Sequence, residues 1–483
     1  MKLGEILNNI SYLRVEGKTD RPIDLISSDS RFLSSQTLFI VKEGHNFSGI
    51  DFIKDVKPHV VAFIAEGKHW RRLKQELQGR GKTLIMVPSA EKAYRQISFY
   101  FLKKASRVKT VGITGTNGKT TTAYLLWHIL NYSRRKSSLI STVKYILPLH
   151  KFSSFLTTPD LLTFANLMLK TYEAGGRYLI SEISSHALAQ GRIQGIALET
   201  AVFTNLTEDH LDYHKSMEGY FQAKRKIFDY LRPGGTAWLN ADDIFCQQVY
   251  KEIRQPRLSF GLDKGDLHPQ AWRADANGIE MLIEWEKRPY FIRSKLKGKF
   301  NIYNILTALG CAFSLGIKPA TALEAIKTFS PPPGRMEEVK KGVFVDYAHT
   351  PDALKKVLVS LKQDLKYKKI ILVFGCGGER EKEKRPLMGK IASLYSDYCI
   401  VTNDNPRGEN PFGIIKQIVK GLNKKKGCLY EVIPERKEAI KKALKIKKDK
   451  FTAILIAGKG HESYQIIGRQ RIKFSDRQVV KEH

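Results

Sequence analysis

The sequence predicts an α/β chain of three domains, and three observations lead there. Short runs of β-branched and aliphatic residues recur from end to end, separated by stretches long enough for a helix. The length of 483 residues corresponds to about three domains of ordinary size. The clearest linker, Phe329-Ser330-Pro331-Pro332-Pro333-Gly334, falls where a third domain would begin, since successive prolines end a helix and stiffen a connection. The boundaries expected from this are 1–106, 107–330 and 331–483.

In the first segment, Thr37 to Val41, Val60 to Ile64 and Thr83 to Val87 read as buried strands, and Ala90 to Lys104 as the closing helix. Ser28 to Arg31 precedes the first of these strands and the polar loop Gly44 to Gly49 follows it. The basic, turn-like stretch Lys103 to Lys109 reads as the hinge into the next domain.

The central segment opens on its most informative stretch. Thr110 to Thr114 reads as a strand, Gly115-Thr116-Asn117-Gly118-Lys119-Thr120-Thr121 as a loop, and Ala123 to Leu130 as the start of an amphipathic helix. Strand, Gly-rich loop and helix in this order form a phosphate-binding P-loop. Backbone N–H groups and the helix N-terminus meet the phosphates, Lys119 pairs with their oxygens, and Thr120 can ligate Mg²⁺. The spacing is a variant of G-x-x-x-x-G-K-[ST]: too short counted from Gly115, one residue too long from Gly112.

Further strands are expected at Tyr178 to Ile180, Thr200 to Phe203 and Thr236 to Leu239, with helices between them and a mostly parallel sheet. Glu182, just past one strand, is placed to bind Mg²⁺ opposite the P-loop. Thr204 to His214 holds two histidines and three acids; its spacing is weak for zinc and points instead to a second Mg²⁺ with His210 as a ligand. Lys224 is one lysine among many on a helix. Val143 to Leu156 looks irregular, and Leu282 to Ile292 is a candidate for antiparallel strands.

In the third segment, Val343 to Val345, Ile370 to Phe374, Tyr398 to Val401 and Ala453 to Ile456 read as strands that each end in a polar loop. Ligands bind at the carboxyl ends of strands in a doubly wound, Rossmann-like sheet. The basic stretch Arg436 to Lys450 reads as an amphipathic helix with a solvated outer face.

Lys and Arg number 81 against 48 Asp and Glu, a net charge of +33 that favours anionic partners. Basic runs such as Asn423 to Lys426 and Lys441 to Lys450 contain almost no aromatics, which argues against a nucleic-acid-stimulated ATPase. The five scattered cysteines form no C-x-x-C pair and fit a reducing compartment. Met1 to Arg14 lacks an apolar signal core and no run is long enough for a membrane span, so a cytoplasmic protein is expected.

Eight stretches occur in the order seen in Mur ligases: G-T-N-G-K-T-T-T, T-T-P-D (Thr157 to Asp160), E-I-S-S-H, D-H-L-D-Y-H, G-R-M-E (Gly334 to Glu337), D-Y-A-H-T-P-D-A (Asp346 to Ala353), D-N-P-R (Asp404 to Arg407) and G-K-G-H-E (Gly458 to Glu462). The chain resembles that family over essentially its whole length, and within it the branch that extends UDP-N-acetylmuramoyl-L-alanyl-D-glutamate. The resemblance implies ATP-dependent amide ligation in peptidoglycan precursor synthesis. The γ-phosphoryl group goes to the D-glutamate carboxylate, and an amino acid then attacks the acyl phosphate. Folylpolyglutamate synthase shares the P-loop and the third-domain plan, but the T-T-P-D, D-N-P-R and G-K-G-H-E set argues against it.

By the same resemblance, Thr120 and Glu182 hold the first Mg²⁺, His210 the second, and Lys224 matches the lysine that the family carbamylates. ATP contacts are implied for Gly115 to Thr121, for Asn301 near the adenine, and for Arg335 and Asp346, with His349 nearby. Ser28, Ser30, His45, Asn46 and Phe47 match uridine-diphosphate contacts; Thr157, Thr158, Ser184, Gln190 and Arg192 match contacts to the muramoyl peptide. Asp404, Asn405, Pro406 and Arg407 form the pattern associated with meso-diaminopimelate, with Arg380, Gly458 and Glu462 as its other contacts. Diaminopimelate carries a second carboxylate that an arginine fork can bind, and lysine does not. Glu462 can take the distal ammonium. Addition of L-lysine is the alternative within the family, and a monomer is expected.

Overall fold

The structure, a computed structural model, describes residues 1–44, 48–422 and 428–483. The expected UDP contacts His45, Asn46 and Phe47, and the basic run from Asn423 to Lys426, lie outside the described residues. Two compact units emerge. The first comprises residues 1–110, 136–179 and 187–198; the second comprises 111–135, 180–186 and 199–483. The second therefore contains the P-loop together with all of the expected third domain.

In the first unit a five-stranded sheet runs in the order Arg14–Glu16, Thr83–Val87, Val60–Glu66, Thr37–Ile40, Leu25–Ser27. Only its first pair is antiparallel. The helix Ala90–Lys104 has the expected limits and is capped by Ser89, whose Oγ accepts from Lys92 N at 3.2 Å. Lys103 and Lys104 thus finish a helix and Lys109 starts the strand Lys109–Thr114, so only 105–108 of the stretch expected to be turn-like lies outside helix and strand. Asp160 caps the helix Leu161–Glu173 and also accepts from Tyr94 Oη at 2.9 Å, tying two helices to one carboxylate. Val143 to Leu156 is more regular than its sequence suggests. It carries the strands Lys144–Ile146 and Lys151–Ser153, which follow Ser137–Ile140 in an antiparallel meander.

The second unit contains two layers of strand-end chemistry. Around the P-loop the strand order is Arg257–Phe260, Leu231–Asn240, Leu198–Phe203, Lys109–Thr114, Tyr178–Glu182. Backbone bonds from Ile183 N to Ile113 O (2.8 Å) and from Thr204 N to Thr114 O (3.0 Å) hold three carboxyl ends level. The helix Lys119–Tyr132 begins at the P-loop lysine itself and is buried on most sides, not amphipathic as its sequence suggests. Leu282 to Ile292 does hold antiparallel strands, within the set Pro269–Asp275, Gly278–Trp285, Arg288–Ser294.

The last sheet runs Glu337–Lys340, Val343–Asp346, Thr452–Ala457, Lys369–Phe374, Tyr398–Val401, Leu429–Val432, parallel except for its first pair. Successive side chains point to opposite faces, so both faces must be apolar. Phe344, Ile370, Leu372, Phe374 and Leu455 pack under the helices Pro351–Val359, Lys384–Tyr395 and Pro411–Gly421. Val345, Ile371, Val373 and Ile454 pack under Arg436–Ile446 and Asp476–Glu482. This is the doubly wound plan, and it lifts four loops to one edge.

The helix expected over Arg436 to Lys450 ends at Ile446, and Arg436 is not on a solvated face. Its guanidinium and the Asp476 carboxylate are both fully buried and bidentate, at 2.7 Å for each bond. Ala457 O accepts a further bond at 3.0 Å. Removing one member of a buried pair strands the other charge, at a cost of about 3–5 kcal/mol. Asp476→Ala is therefore expected to lower the thermal unfolding midpoint sharply. The double change Arg436→Met with Asp476→Leu should recover most of the loss. Equal midpoints for wild type and Asp476→Ala would contradict this account of the pair.

Among the described residues no helix is long and apolar enough to cross a membrane. Cys246, Cys311, Cys376, Cys399 and Cys428 are all buried free thiols, in keeping with the absence of a disulfide framework.

Candidate functional site

The P-loop takes its shape from two left-handed glycines. Gly115 (φ +141°) and Gly118 (φ +88°) have backbone angles that side chains rarely adopt. A Cβ at Gly115 would collide with Thr204 Oγ1, and one at Gly118 with Asn304 Oδ1. Asn205 braces the loop from the neighbouring strand end: its carbonyl accepts from Thr116 N at 2.9 Å and its Oδ1 from Asn117 N at 3.0 Å. Lys119 Nζ donates to Gly115 O (2.7 Å) and Thr116 O (2.9 Å). Burial pulls this lysine below its ordinary range, while Glu182 and Asp209 act to hold its charge.

Glu182 is the last residue of its strand and fully buried, so it is neither past the strand nor solvated. Its Oε2 accepts from Thr120 Oγ1 at 3.0 Å, and Arg335 Nη2 donates to the same hydroxyl at 3.0 Å. A hydroxyl and a carboxylate side by side are hard oxygen donors of the type Mg²⁺ takes when phosphate oxygens and water complete its shell. Among the described residues no group of three or more His, Cys, Asp or Glu side chains gathers as a metal site.

Lys224 is not one lysine among many. It is 1% exposed, its Nζ donates to Gly115 O at 2.9 Å, and it lies 4.5 Å from the centre of the Tyr220 ring. Burial, with the Lys119 charge added, drives its amine well below the usual lysine range. His210 sits at φ +58° with Nε2 3.5 Å from Asp209 Oδ2, and burial pushes it down to about 3, leaving a neutral imidazole. His349 is likewise lowered, chiefly by burial, and its Nδ1 lies 2.8 Å from Tyr347 O.

Other expected nucleotide residues act as supports. Asp346 accepts from Met336 N (2.6 Å) and Ala348 N (2.7 Å), which fixes the backbone on either side of Arg335 and His349. Burial raises this carboxyl. Arg335 also stacks over Tyr347 at 4.5 Å. Asn301 Oδ1 accepts from Asn304 Nδ2 at 2.7 Å, and it is Asn304 that crowds Gly118. Thr121 is buried in the first turn of the P-loop helix.

At the carboxyl edge of the last sheet, Asn405 Nδ2 donates to Glu462 Oε2 at 2.8 Å. The fully buried Lys459 donates to the same oxygen at 2.8 Å and to Asn405 Oδ1 at 3.0 Å. Glu462 is thus already shared with a cation, a partner the sequence did not suggest. Arg407 holds a left-handed backbone (φ +53°) and its Nη1 donates to Gly378 O at 2.7 Å. Arg380 Nη1 donates to Glu379 O at 3.0 Å. Asp404 is buried against Gly458, whose φ of +110° leaves no room for a Cβ beside the Asp404 carboxylate. Pro406 O closely abuts Gly378.

These loops and the His210 loop line one cleft of about 170 Å³. Asp209, His210, His349, Arg380, Lys384 and Arg407 are among its walls. Asp209 and Lys384 were not picked out in the sequence; Asp209 stood inside the acidic-histidine stretch, whereas Lys384 carried no local signal.

In the first unit, Arg192 is bonded to two other expected positions, Thr158 and Gln190. Its Nη1 donates to Thr158 O at 3.0 Å and its Nε to Gln190 Oε1 at 3.0 Å. Thr157 accepts from Thr142 Oγ1 at 3.0 Å. Ser28 and Ser30 sit half-buried in a turn closed by Ser27 Oγ on Asp29 O at 2.9 Å. Ser184 belongs to the second unit, two residues beyond Glu182.

Comparison with known proteins fits this geometry. Residues 113–312 match the Mur ligase middle domain, and residues 334–460 match the Mur ligase, glutamate ligase domain. A UDP-N-acetylmuramoyl-L-alanyl-D-glutamate--2,6-diaminopimelate ligase of Syntrophomonas wolfei is 36% identical over 496 residues, covering 100% of this chain and 99% of the relative. A solved structure of a ligase with the same name superimposes with a TM-score of 0.59 at 27% identity, covering 100% of this chain and 98% of the other. The MurF ligase of Thermotoga maritima, solved in complex with ADP, shares the fold with a TM-score of 0.67 at 20% identity, over 90% of this chain and 93% of the other.

Proposed function

The chain belongs to the Mur ligase family, and we propose that it joins meso-diaminopimelate to UDP-N-acetylmuramoyl-L-alanyl-D-glutamate with ATP, giving the UDP-linked tripeptide, ADP and phosphate. It is an ATP-dependent acid–amino-acid ligase of peptidoglycan precursor synthesis. The observation that carries the amino-acid choice is Arg407, held at φ +53° in the same cleft as His210 and the P-loop-side Asp209.

The first step breaks the γ-phosphoryl P–O bond to ADP and forms a P–O bond to the D-glutamate carboxylate. Lys119 offsets charge as the two anions meet. Arg335, anchored by the Asp346 loop, adds a second cation at the Thr120 hydroxyl. In the second step the amine nitrogen attacks the acyl carbon, the C–O bond to phosphate breaks, and the amine loses a proton.

Thr120, Glu182 and His210 are the side chains that would hold Mg²⁺, whose charge neutralises the phosphoryl oxygens during transfer. Lys224 would join them as a carbamate. That modification needs a neutral amine to attack CO₂ and release a proton, and the depressed Lys224 supplies one. The product is an anion where a neutral amine stood. The muramoyl dipeptide is expected to use Ser28, Ser30, Thr157, Thr158, Ser184, Gln190 and Arg192, and the protein to act as a cytoplasmic monomer.

The test is phosphate release from ATP and Mg²⁺, with each component omitted in turn. Release should require both the UDP-dipeptide and meso-diaminopimelate. Release that depends on added DNA or RNA and not on an amino acid would overturn the proposal.

A further inference from the structure

A cation that the proposed reaction does not yet use stands at the amino end of the helix Lys384–Tyr395. Lys384, the first residue of that helix, is only 9% exposed and lines the cleft shared by Asp209, His210, His349 and Arg407. Among the described residues its ammonium has no hydrogen-bond acceptor and no carboxylate oxygen within 4.0 Å. The next residue shows the contrast. Arg385 is taken up by both oxygens of Glu409 (2.8 and 2.9 Å), by Gln417 and by Gly377 O.

The ammonium has no protein acceptor among the described residues and is not sealed off from the cleft, so an anion that enters can meet it directly. The helix N-terminus adds its own positive potential at the same place. The cleft wall is therefore built to receive negative charge from a ligand.

Two anions could reach this wall: a phosphoryl group or a carboxylate of the amino acid. The groups within electrostatic reach of Lys384 decide between them. They are Asp209, His349, Glu381 and Cys376. Asp209 is also the acidic neighbour of Lys119. The other end of the cleft has its own cations: Lys459 and Arg436 serve Asp404, and Arg407 bonds to Gly378 O. Asp209, a neighbour that Lys384 shares with the P-loop Lys119, ties it to the phosphoryl side, while Cys376 lies within reach of both Lys384 and Asp404.

We infer that Lys384 is a catalytic residue that binds the phosphoryl oxygens of the acyl phosphate as that group is formed and displaced. This rests on the proposed ligase reaction. The step is balanced by the transfer already described: one P–O bond breaks at ADP, one forms at the carboxylate, and the later C–O cleavage releases inorganic phosphate. Lys384 exchanges no atom and supplies charge to oxygens that gain it. Loss of one such pre-placed donor lowers rates by about 10²–10³-fold.

The experiment uses the full-length enzyme and its variants Lys384→Gln and Lys384→Arg, with thermal midpoints to verify folding. Hydroxylamine replaces the amino acid and traps the acyl phosphate as a hydroxamate. Lys384→Gln should form hydroxamate about 100-fold more slowly, leave KM for meso-diaminopimelate within about threefold, and be partly rescued in Lys384→Arg. Normal hydroxamate formation with a large rise in that KM would overturn the inference and assign Lys384 to the amino acid. Hydroxamate formation by wild type separately tests the ligase reaction. A second measurement does not depend on turnover: binding of inorganic phosphate to the enzyme with Mg²⁺ and ADP, followed by ³¹P line broadening. Wild type should bind at least about tenfold more tightly than Lys384→Gln, in line with loss of a charge-assisted contact. Equal binding would overturn the inference.

Discussion

Lys119→Ala is expected to lower amino-acid-dependent phosphate release by about 10³-fold while leaving the thermal midpoint near that of wild type. The rate effect follows from position. The ammonium is held by Gly115 O and Thr116 O at the mouth of a loop whose other groups are backbone N–H and a helix terminus. Lys224 does not duplicate it, because its amine already donates to Gly115 O. The same bond limits the damage to stability, since that carbonyl keeps a donor when Lys119 is lost. Lys119→Arg should be nearly as slow, because a planar fork does not fit a site shaped for a point charge. Full activity in either variant would remove Lys119 from phosphoryl transfer.

Arg407→Ala is expected to raise KM for meso-diaminopimelate by about 100-fold, the effect of stranding a carboxylate that had a charge-assisted partner. L-Lysine has no distal carboxylate, so its much poorer turnover should change little. The discrimination between the two amino acids, not the maximal rate, is the quantity that should collapse. An Arg407→Ala enzyme that still prefers meso-diaminopimelate to the same degree would place specificity elsewhere in the cleft.

How far these sites could be read from sequence depended on how local their signals were. Strand runs such as Ile370 to Phe374 and Ala453 to Ile456 announced themselves, because a doubly covered sheet needs apolar residues on both faces. The P-loop, Glu182 and the D-N-P-R loop were legible for the same reason: each is a strand end followed by its chemistry. On spacing alone Lys224 was one lysine among many, and only the resemblance singled it out, since only the fold brings it to Gly115, 109 positions away. Arg436 misled for a related reason. It opens a lysine-rich helix, and its partner Asp476 lies 40 residues later. Lys384 sits in a run of charged residues, Glu379 to Arg385, where nothing in the spacing distinguishes it from exposed Lys382 and Glu383 or from buried Arg385. Buried charge paired between elements far apart in the chain is a tertiary property, and residue order carries little of it.

The most direct test of the central claim is a competition. The enzyme receives ATP, Mg²⁺ and UDP-N-acetylmuramoyl-L-alanyl-D-glutamate with equal concentrations of meso-diaminopimelate and L-lysine, and the product is identified by mass. The account predicts that the diaminopimelate-containing tripeptide dominates and that ADP and phosphate form in equal amounts with it. A product containing mainly lysine, or phosphate released without any tripeptide, would contradict it.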